Sequence, residues 1–217
     1  EVLGDPHSLA AKAKVFTGSE GYLSAPQTPL RSPAVDHLIA IAREHGPEGP
    51  PLYVMALGCV TNIASALMLA PDLIDRVVVV WTSGYPSSSP WPNRSLNLEQ
   101  DLWASQWLFD CGVPLVYLPG YHVGAQLRLS LPEMERHVQG RGAVGNELHR
   151  LYTHNPLWSI LGDPVAGQAQ SWVIWDIICV AWLLTPDWVP SGLVDTPRLG
   201  DDLRWAADAT RPPMREA

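Results

Sequence analysis

The residues with the clearest potential for chemistry are Trp175 and Asp176, which stand together in an apolar stretch near the carboxyl end. Asp176 is the only charged residue between Asp163 and Asp187. Residues 174–184 are predicted to form a buried helix, in which a lone carboxylate is costly unless a cation or several donors hold it. A first-turn acid favoured by the helix dipole is the structural alternative. We predict that Asp176 is a ligand and that the neighbouring indole is a stacking surface.

Two further segments carry side chains suited to ligand binding. In the turn 58–62, Thr61 can present its backbone carbonyl to a hard cation, since calcium accepts carbonyl and carboxylate oxygens together. An ordinary strand-to-helix turn with a polar cap explains the same residues completely. Asn97 carries both the donor and the acceptor that a sugar hydroxyl requires, although a loop asparagine can equally satisfy its own backbone. Both interpretations stay open for each segment.

The cysteines and histidines do not form a recognisable site. Cys59, Cys111 and Cys179 are widely spaced among apolar residues, which predicts reduced core thiols of a cytoplasmic protein rather than disulfides or a zinc site. Of the seven histidines, His122 is the exception in following a predicted strand directly. No serine or cysteine partner is evident for it, so an α/β hydrolase that uses His122 is only a competing hypothesis.

Composition excludes several classes of partner. The 217 residues are 47% hydrophobic, enough for one sizeable core, and a single domain is predicted over residues 1–217. Lysine and arginine are scattered and the net charge is −8, which argues against nucleic acid. No apolar run reaches the roughly 18 residues that span a bilayer, so no membrane partner is expected. The first and last residues suggest a piece of a longer protein.

Apolar runs of strand length alternate with amphipathic helical segments, and two helix starts are predicted at Ser32, before Pro33, and at Ser130, which has capping-box spacing to Glu133. This alternation predicts an α/β fold with a mostly parallel central sheet flanked by helices, incomplete at both ends. In such sheets the site lies beyond the carboxyl ends of the strands. The predicted strands are residues 52–57, 76–81 and 113–118, and the segments expected around one cleft are 58–62, 81–84 with the loop after it, and 119–122.

Four of these segments occur in an order that resembles the inosine–uridine-preferring nucleoside hydrolase family. Members of that family have a Gly-x-x-Thr-Asn turn after one strand, a glycine-containing corner after a second, a Glu-Phe-Asn segment, and a late motif that ends in aspartate. The resemblance extends over roughly residues 14 to 208. The corresponding segments here are LYVMALGCVTNIASAL, RVVVVWTSG, SLNLEQDLWAS and VIWDIICVAWLLTPDWV.

The resemblance implies a role for five residues. By position, the carbonyl of Thr61 and the carboxylate of Asp176 would bind Ca²⁺, Asn97 and Asn93 would contact the ribose, and Trp175 would flank the nucleobase. The implied activity is hydrolysis of the N-glycosidic bond of small-molecule ribonucleosides, with a leaning toward purines because of the tryptophan. The family also commonly forms homodimers or homotetramers.

Several departures from the family pattern limit that expectation. Ser95 stands where the family has a ribose-binding glutamate, and the corner reads Thr82-Ser83-Gly84. The Asp-rich amino-terminal run, which supplies most calcium ligands and the general base in the family, has no counterpart here. No catalytic residue is therefore assigned, and we expect the chain to bind calcium poorly and to hydrolyse little alone. A non-catalytic relative that binds nucleosides or sugars is the alternative function.

Overall fold

The computed structural model describes residues 15–45, 48–155 and 171–217. The chain divides into two compact units, and each is described by itself. The larger unit comprises Phe16–Leu127 and Trp175–Ala217. The smaller unit includes, among the described residues, 128–155 and 171–174. The single domain predicted over the whole chain stays a prediction.

The two units have different elements. The larger unit contains, in its first segment, α1 (Pro33–Glu44), β1 (Leu52–Ala56), α2 (Thr61–Leu69), β2 (Val77–Ser83), α3 (Leu96–Glu99), α4 (Leu102–Asp110) and β3 (Leu115–Pro119). The smaller unit contains β4 (Arg128–Ser130), α5 (Leu131–His137), α6 (Gly142–Thr153) and β5 (Ser171–Val173). The second segment of the larger unit adds α7 (Ile178–Leu184), β6 (Gly192–Asp195), β7 (Arg198–Leu199), β8 (Trp205–Ala206) and β9 (Pro213–Glu216).

The larger unit is built on a five-stranded sheet in the order β1-β2-β3-β9-β6. The pairs β1–β2, β2–β3 and β3–β9 are parallel, and β6 runs antiparallel to β9. The predicted α/β fold with a mostly parallel sheet is therefore confirmed, as are the three apolar strands. The strands β6 and β9 escaped prediction because they are short and β9 carries both Arg215 and Glu216.

Both faces of the central strands are buried, which explains their uninterrupted apolar sequences. Successive side chains point to opposite faces, so Trp81 and Tyr117 lie in one apolar cluster while Val80, Val116 and Leu118 lie in another. The first cluster is covered by residues of α2 and α4, and the second by residues of α7. The strand ends between these two layers are thereby held rigidly.

The predicted helix starts in both units are confirmed. The hydroxyl of Ser32 accepts a hydrogen bond from the Val35 amide, and Pro33 occupies the first turn of α1. In the smaller unit, Ser130 and Glu133 form the expected capping box at the start of α5. None of the helices that the structure describes is long and apolar enough to cross a bilayer.

The predicted helix around Asp176 is wrong in one respect that matters for function. Ser171–Val173 forms β5, which pairs with β4. No helix therefore begins just before Asp176, as the helix-dipole alternative would require. Trp175–Ile177 forms a single 3-10 turn, and the α-helix starts only at Ile178–Leu184. Asp176 is partly exposed rather than buried inside a helix. The carboxylate therefore needs no counter-ion to be tolerated.

Candidate functional site

A cavity of about 300 Å³ lies beyond the carboxyl ends of β2 and β3 in the larger unit. Its position agrees with the rule that ligands of parallel sheets bind outside those strand ends. Two of the three predicted segments meet there, since Ser83 ends β2 and Tyr121 follows β3. The lining residues are Thr82, Ser83, Gly84, Ser95, Leu96, Asn97, Gly120, Tyr121, Trp175 and Asp176.

A carboxylate and an amide are paired within this cavity. Asn97 Nδ2 donates to Asp176 Oδ1 at 2.8 Å and to the Thr82 carbonyl at 3.2 Å. The Oδ1 atom of Asn97 accepts no hydrogen bond from the described part of the chain. Because its amide is oriented in this way, Asn97 presents an acceptor to the cavity beside the carboxylate of Asp176. Two of the residues predicted to bind ligands are thus brought together.

Two serine hydroxyls complete the polar part of the cavity. Ser83 Oγ and Ser95 Oγ lie 2.9 Å apart and share one hydrogen bond, and both residues are buried. One of the two hydroxyl protons is consumed by this bond, so the pair keeps a donor and lone pairs for a polar ligand. Ser83 belongs to the segment 81–84 that was expected at the cleft, although no role was assigned to its hydroxyl. Ser95 was noted only as a departure from the family pattern.

Aromatic rings form the apolar part of the cavity. Trp175 is 40% exposed and Tyr121 is 39% exposed, and their ring centroids lie 6.3 Å apart at 81°. Burial, followed by the nearby Tyr85 and Glu99, raises the pKa of Tyr121. The phenol therefore stays a neutral donor near pH 7. Trp175 is placed as predicted, on the surface of a cavity, whereas Tyr121 was not singled out.

Asn93, expected to contact the sugar, has a different position. It is fully buried, its Oδ1 accepts from the Tyr85 amide at 2.7 Å, and its Nδ2 donates to the Leu203 carbonyl at 3.1 Å. Asn93 does not line the cavity. A side chain at Gly84, whose φ is +49°, would collide with Asn93 and with the Tyr117 hydroxyl. Because both the oxygen and the nitrogen of its side-chain amide are hydrogen-bonded within the protein, Asn93 stabilises the corner after β2.

Thr61 lines a different cavity from the one that Asp176 lines. Its hydroxyl donates to Asp101 Oδ2 at 2.6 Å, and the same carboxylate caps α4 through the Ala104 amide. Thr61 lines a separate cavity of about 320 Å³ that shares no lining residue with the first. The expectation that segment 58–62 joins the common cleft is therefore not met. The next residue, Asn62, also bonds within the protein, since its Oδ1 atom accepts from the amide and the hydroxyl of Ser19.

The described residues do not fit a closed calcium site. Calcium takes six to eight oxygens, but no group of three or more histidine, cysteine, aspartate or glutamate residues in the described part of the chain is arranged to hold a metal. Asp176 supplies the only carboxylate in the lining of the first cavity as described. Its paired Oδ1 atom already accepts from Asn97. The expected sharing of one ion by Thr61 and Asp176 gains no support from these positions.

His122 and the cysteines show no catalytic arrangement within the described residues. His122 lines another cavity, of about 340 Å³, whose lining includes neither serine nor cysteine. This composition disfavours the competing hydrolase hypothesis. Cys59, Cys111 and Cys179 are free thiols, but only Cys179 is fully buried. Burial raises the pKa of Cys179 to about 12, so this thiol stays protonated near pH 7.

Comparisons with known proteins agree with this architecture. The model of the family described as inosine-uridine preferring nucleoside hydrolase matches residues 2–210. No curated relative matches the sequence. A plant nucleoside hydrolase, the PpNRh1 enzyme, is 17% identical with a TM-score of 0.68, and the match covers 89% of this chain and 65% of that one.

Two other solved structures are similar at the same level. A purine-preferring ribonucleoside hydrolase from Gardnerella vaginalis is 22% identical with a TM-score of 0.64, covering 88% of this chain and 62% of its own. An inosine-guanosine nucleoside hydrolase is 20% identical with a TM-score of 0.63, covering 87% and 63%. This chain thus spans less than two thirds of each of these relatives, and such identities establish the fold alone. Because the family model matches nearly the whole sequence and the fold agrees, the chain belongs to the inosine-uridine preferring nucleoside hydrolase family.

Proposed function

We propose that this chain carries the nucleoside-binding part of a hydrolase that cleaves the N-glycosidic bond of ribonucleosides. One observation carries the proposal. The carboxylate of Asp176 lies 2.8 Å from the amide of Asn97, in a cavity beyond the strand ends and beside the exposed indole of Trp175. Polar acceptors next to an aromatic surface match a ligand that joins a sugar to a planar base. Membership of the family supports the substrate class.

The polar residues account for binding of the ribose. The carboxylate of Asp176 and the Oδ1 atom of Asn97 accept hydrogen bonds from sugar hydroxyls, and the Ser83–Ser95 pair offers a donor nearby. N-glycosidic cleavage passes through a cationic, oxocarbenium-like sugar. A carboxylate next to that sugar stabilises the positive charge as it develops. Asp176 therefore contributes to binding and to charge stabilisation, without an assigned proton transfer.

Trp175 accounts for the proposed leaning toward purines. The residue is 40% exposed and lines the cavity, so its indole offers an apolar surface to a ligand. A bicyclic base covers more of that surface than a single ring does. Contact area favours the larger base because stacking and apolar burial both grow with it.

The family uses a metal, and we propose that the intact protein uses Ca²⁺. The sequence resemblance supports this choice of ion. The described residues do not complete a calcium site, so the steps assigned to this chain are binding and orientation of the substrate by its own side chains. Weak turnover by this chain alone, and assembly into dimers or tetramers, belong to the same proposal.

The test measures binding of inosine to the chain by calorimetry and release of ribose from inosine or p-nitrophenyl riboside. In Asp176→Asn, we expect inosine affinity to fall by about tenfold or more, because a charge-assisted hydrogen bond to the sugar is lost. The matched control is Asp187→Asn, since Asp187 is exposed and does not line the cavity. Failure of the wild-type chain to bind inosine would refute the proposed substrate class.

A non-catalytic nucleoside-binding protein is the second candidate. It is favoured by the single carboxylate among the described lining residues of the cavity, since hydrolysis also requires a group that activates water. The same measurements separate the two functions. Ribose release that Asp176→Asn abolishes supports the hydrolase. Tight inosine binding with no release at any calcium concentration supports the binding protein.

A further inference from the structure

Three aromatic side chains of the larger unit are in contact with one another, and two of them line the cavity. The rings of Tyr85 and Tyr121 lie 4.6 Å apart at 41°, and those of Tyr121 and Trp175 lie 6.3 Å apart at 81°. Tyr121 and Trp175 both line the cavity, whereas Tyr85 does not. The two lining rings come from separate elements, the turn after β3 and the 3-10 turn before α7. They meet almost at a right angle and enclose a corner.

Tyr121 is held in place before any ligand binds. Its hydroxyl donates to the Arg94 carbonyl at 2.9 Å, and its amide donates to the Gly84 carbonyl at 3.1 Å. The ring also packs against Tyr85. Because Tyr121 is already fixed at its hydroxyl and at its backbone amide, it loses little conformational entropy when a ligand binds. More of the contact free energy therefore contributes to affinity.

We propose that Tyr121 is a specificity-determining residue, which forms with Trp175 an aromatic corner that receives the planar base of the substrate. This inference rests on the proposed function for the identity of the substrate, while the corner itself requires only a flat heteroaromatic ring. A base that stacks on one ring directs its edge toward the other. Offset stacking and edge-to-face contacts are the arrangements that aromatic pairs prefer.

The corner selects by shape and area rather than by hydrogen bonding. The polar lining residues that the structure describes, such as Ser83, Ser95, Asn97 and Asp176, are linked in pairs through hydrogen bonds of the sugar-binding part. The hydroxyl of Tyr121 is already used by the Arg94 carbonyl. Different purines should therefore bind with similar affinity, because each offers the same bicyclic face. A pyrimidine has a single ring and therefore contacts less of the Tyr121 and Trp175 surfaces.

The test is fluorine NMR of the chain labelled with 3-fluorotyrosine. The chain has six tyrosines, and Tyr121→Phe identifies the signal of Tyr121 by its disappearance. Adding hypoxanthine or adenine to millimolar concentration should shift the Tyr121 signal. Uracil should shift it less, and ribose should not shift it. Tyr53 is 44% exposed and lies on β1, so its signal is the internal control and should stay in place.

Binding of the free base to variants gives a second measurement. Tyr121→Phe keeps the ring and should bind purine bases within about twofold of wild type, whereas Tyr121→Leu should bind roughly fivefold or more weakly. An unmoved Tyr121 signal, or an equal shift of Tyr53, would overturn the inference even if Tyr121→Leu failed to fold. Binding of the free base does not require binding of the nucleoside, so a shift at Tyr121 in a chain that fails to bind inosine would refute only the proposed function.

Discussion

Asp176 illustrates how far the role of a single residue depends on the element that carries it. In a helix buried on all sides its carboxylate would require a cation. In the observed 3-10 turn it is partly exposed and pairs with Asn97 at 2.8 Å. Water and one amide are enough to stabilise such a charge. The residue remains a ligand candidate, but for a hydroxyl-bearing substrate rather than on the ground that an ion must neutralise it.

Asn93 and Asn97 lie in the same segment but have different roles, since Asn97 lines the cavity and Asn93 stabilises the fold. Replacing Asn93 with alanine leaves the Tyr85 amide without its buried partner. It also removes one of two hydrogen bonds to the Leu203 carbonyl, which keeps the bond from the backbone amide of residue 93. We expect Asn93→Ala to lower the free energy of unfolding by about 2 kcal/mol or more. Urea denaturation measures this change, with Asn97→Ala as the matched control, because Asn97 is only partly buried. Reduced inosine affinity with unchanged stability would instead return Asn93 to the sugar-binding group.

At the scale of elements, the long loop between β2 and α3 is the least expected feature. Its proline- and serine-rich sequence suggests a free loop, yet it is tied to the carboxyl-terminal region. Ser87 donates to the Glu216 carboxylate through both its amide and its hydroxyl, and Asn93 binds Leu203. The indole of Trp205 donates to the Tyr85 carbonyl at 3.2 Å. These contacts hold Gly84 and Ser95, the two ends of the loop at the cavity.

The bond between Ser87 and Glu216 can be tested by limited proteolysis. Glu216→Gln removes the charge and one of the two acceptors, so we expect faster cleavage within residues 85–94 and weaker binding of inosine. Glu99→Gln is the control, because Glu99 forms an exposed ion pair with Arg94. Exposed pairs contribute little to stability. Equal cleavage rates in the two variants would show that Glu216 does not restrain the loop.

At the scale of the larger unit, the sheet, as far as the structure describes it, ends in a partly exposed strand. β1 is the first strand in the sheet order, and one of its faces shows Tyr53, Met55 and the following Leu57 at 44%, 38% and 53% exposure. Parallel sheets are ordinarily covered on both faces. An exposed apolar edge strand is a template for pairing with another chain. We therefore expect this unit to associate through β1.

That tendency gives a measurable expectation. Met55→Lys places a charge on the exposed face of β1 and should shift the chain toward lower mass in size-exclusion chromatography with light scattering. Leu193→Lys is the control, since Leu193 is 68% exposed on β6 at the opposite edge. The same loss of mass in both variants would contradict a specific role of β1 and indicate general solubility instead.

The sequence by itself determined the fold class, the three parallel apolar strands and the helix starts at Ser32 and Ser130. These features depend on local periodicity, burial of both strand faces and capping chemistry, all of which are written in neighbouring residues. It also identified Trp175, Asp176 and Asn97, because polar or aromatic residues after strands and in apolar stretches are conspicuous.

Only the tertiary structure decided which of those residues meet. The hydroxyl of Thr61 is bonded to Asp101, which lies 40 positions away, and the side-chain amide of Asn93 is bonded to Leu203, which lies 110 positions away. Tyr121 became part of the site because the turn after β3 lies beside the 3-10 turn that carries Trp175. Such pairings depend on long-range packing and on which partner satisfies a buried polar group, and no local pattern encodes that choice.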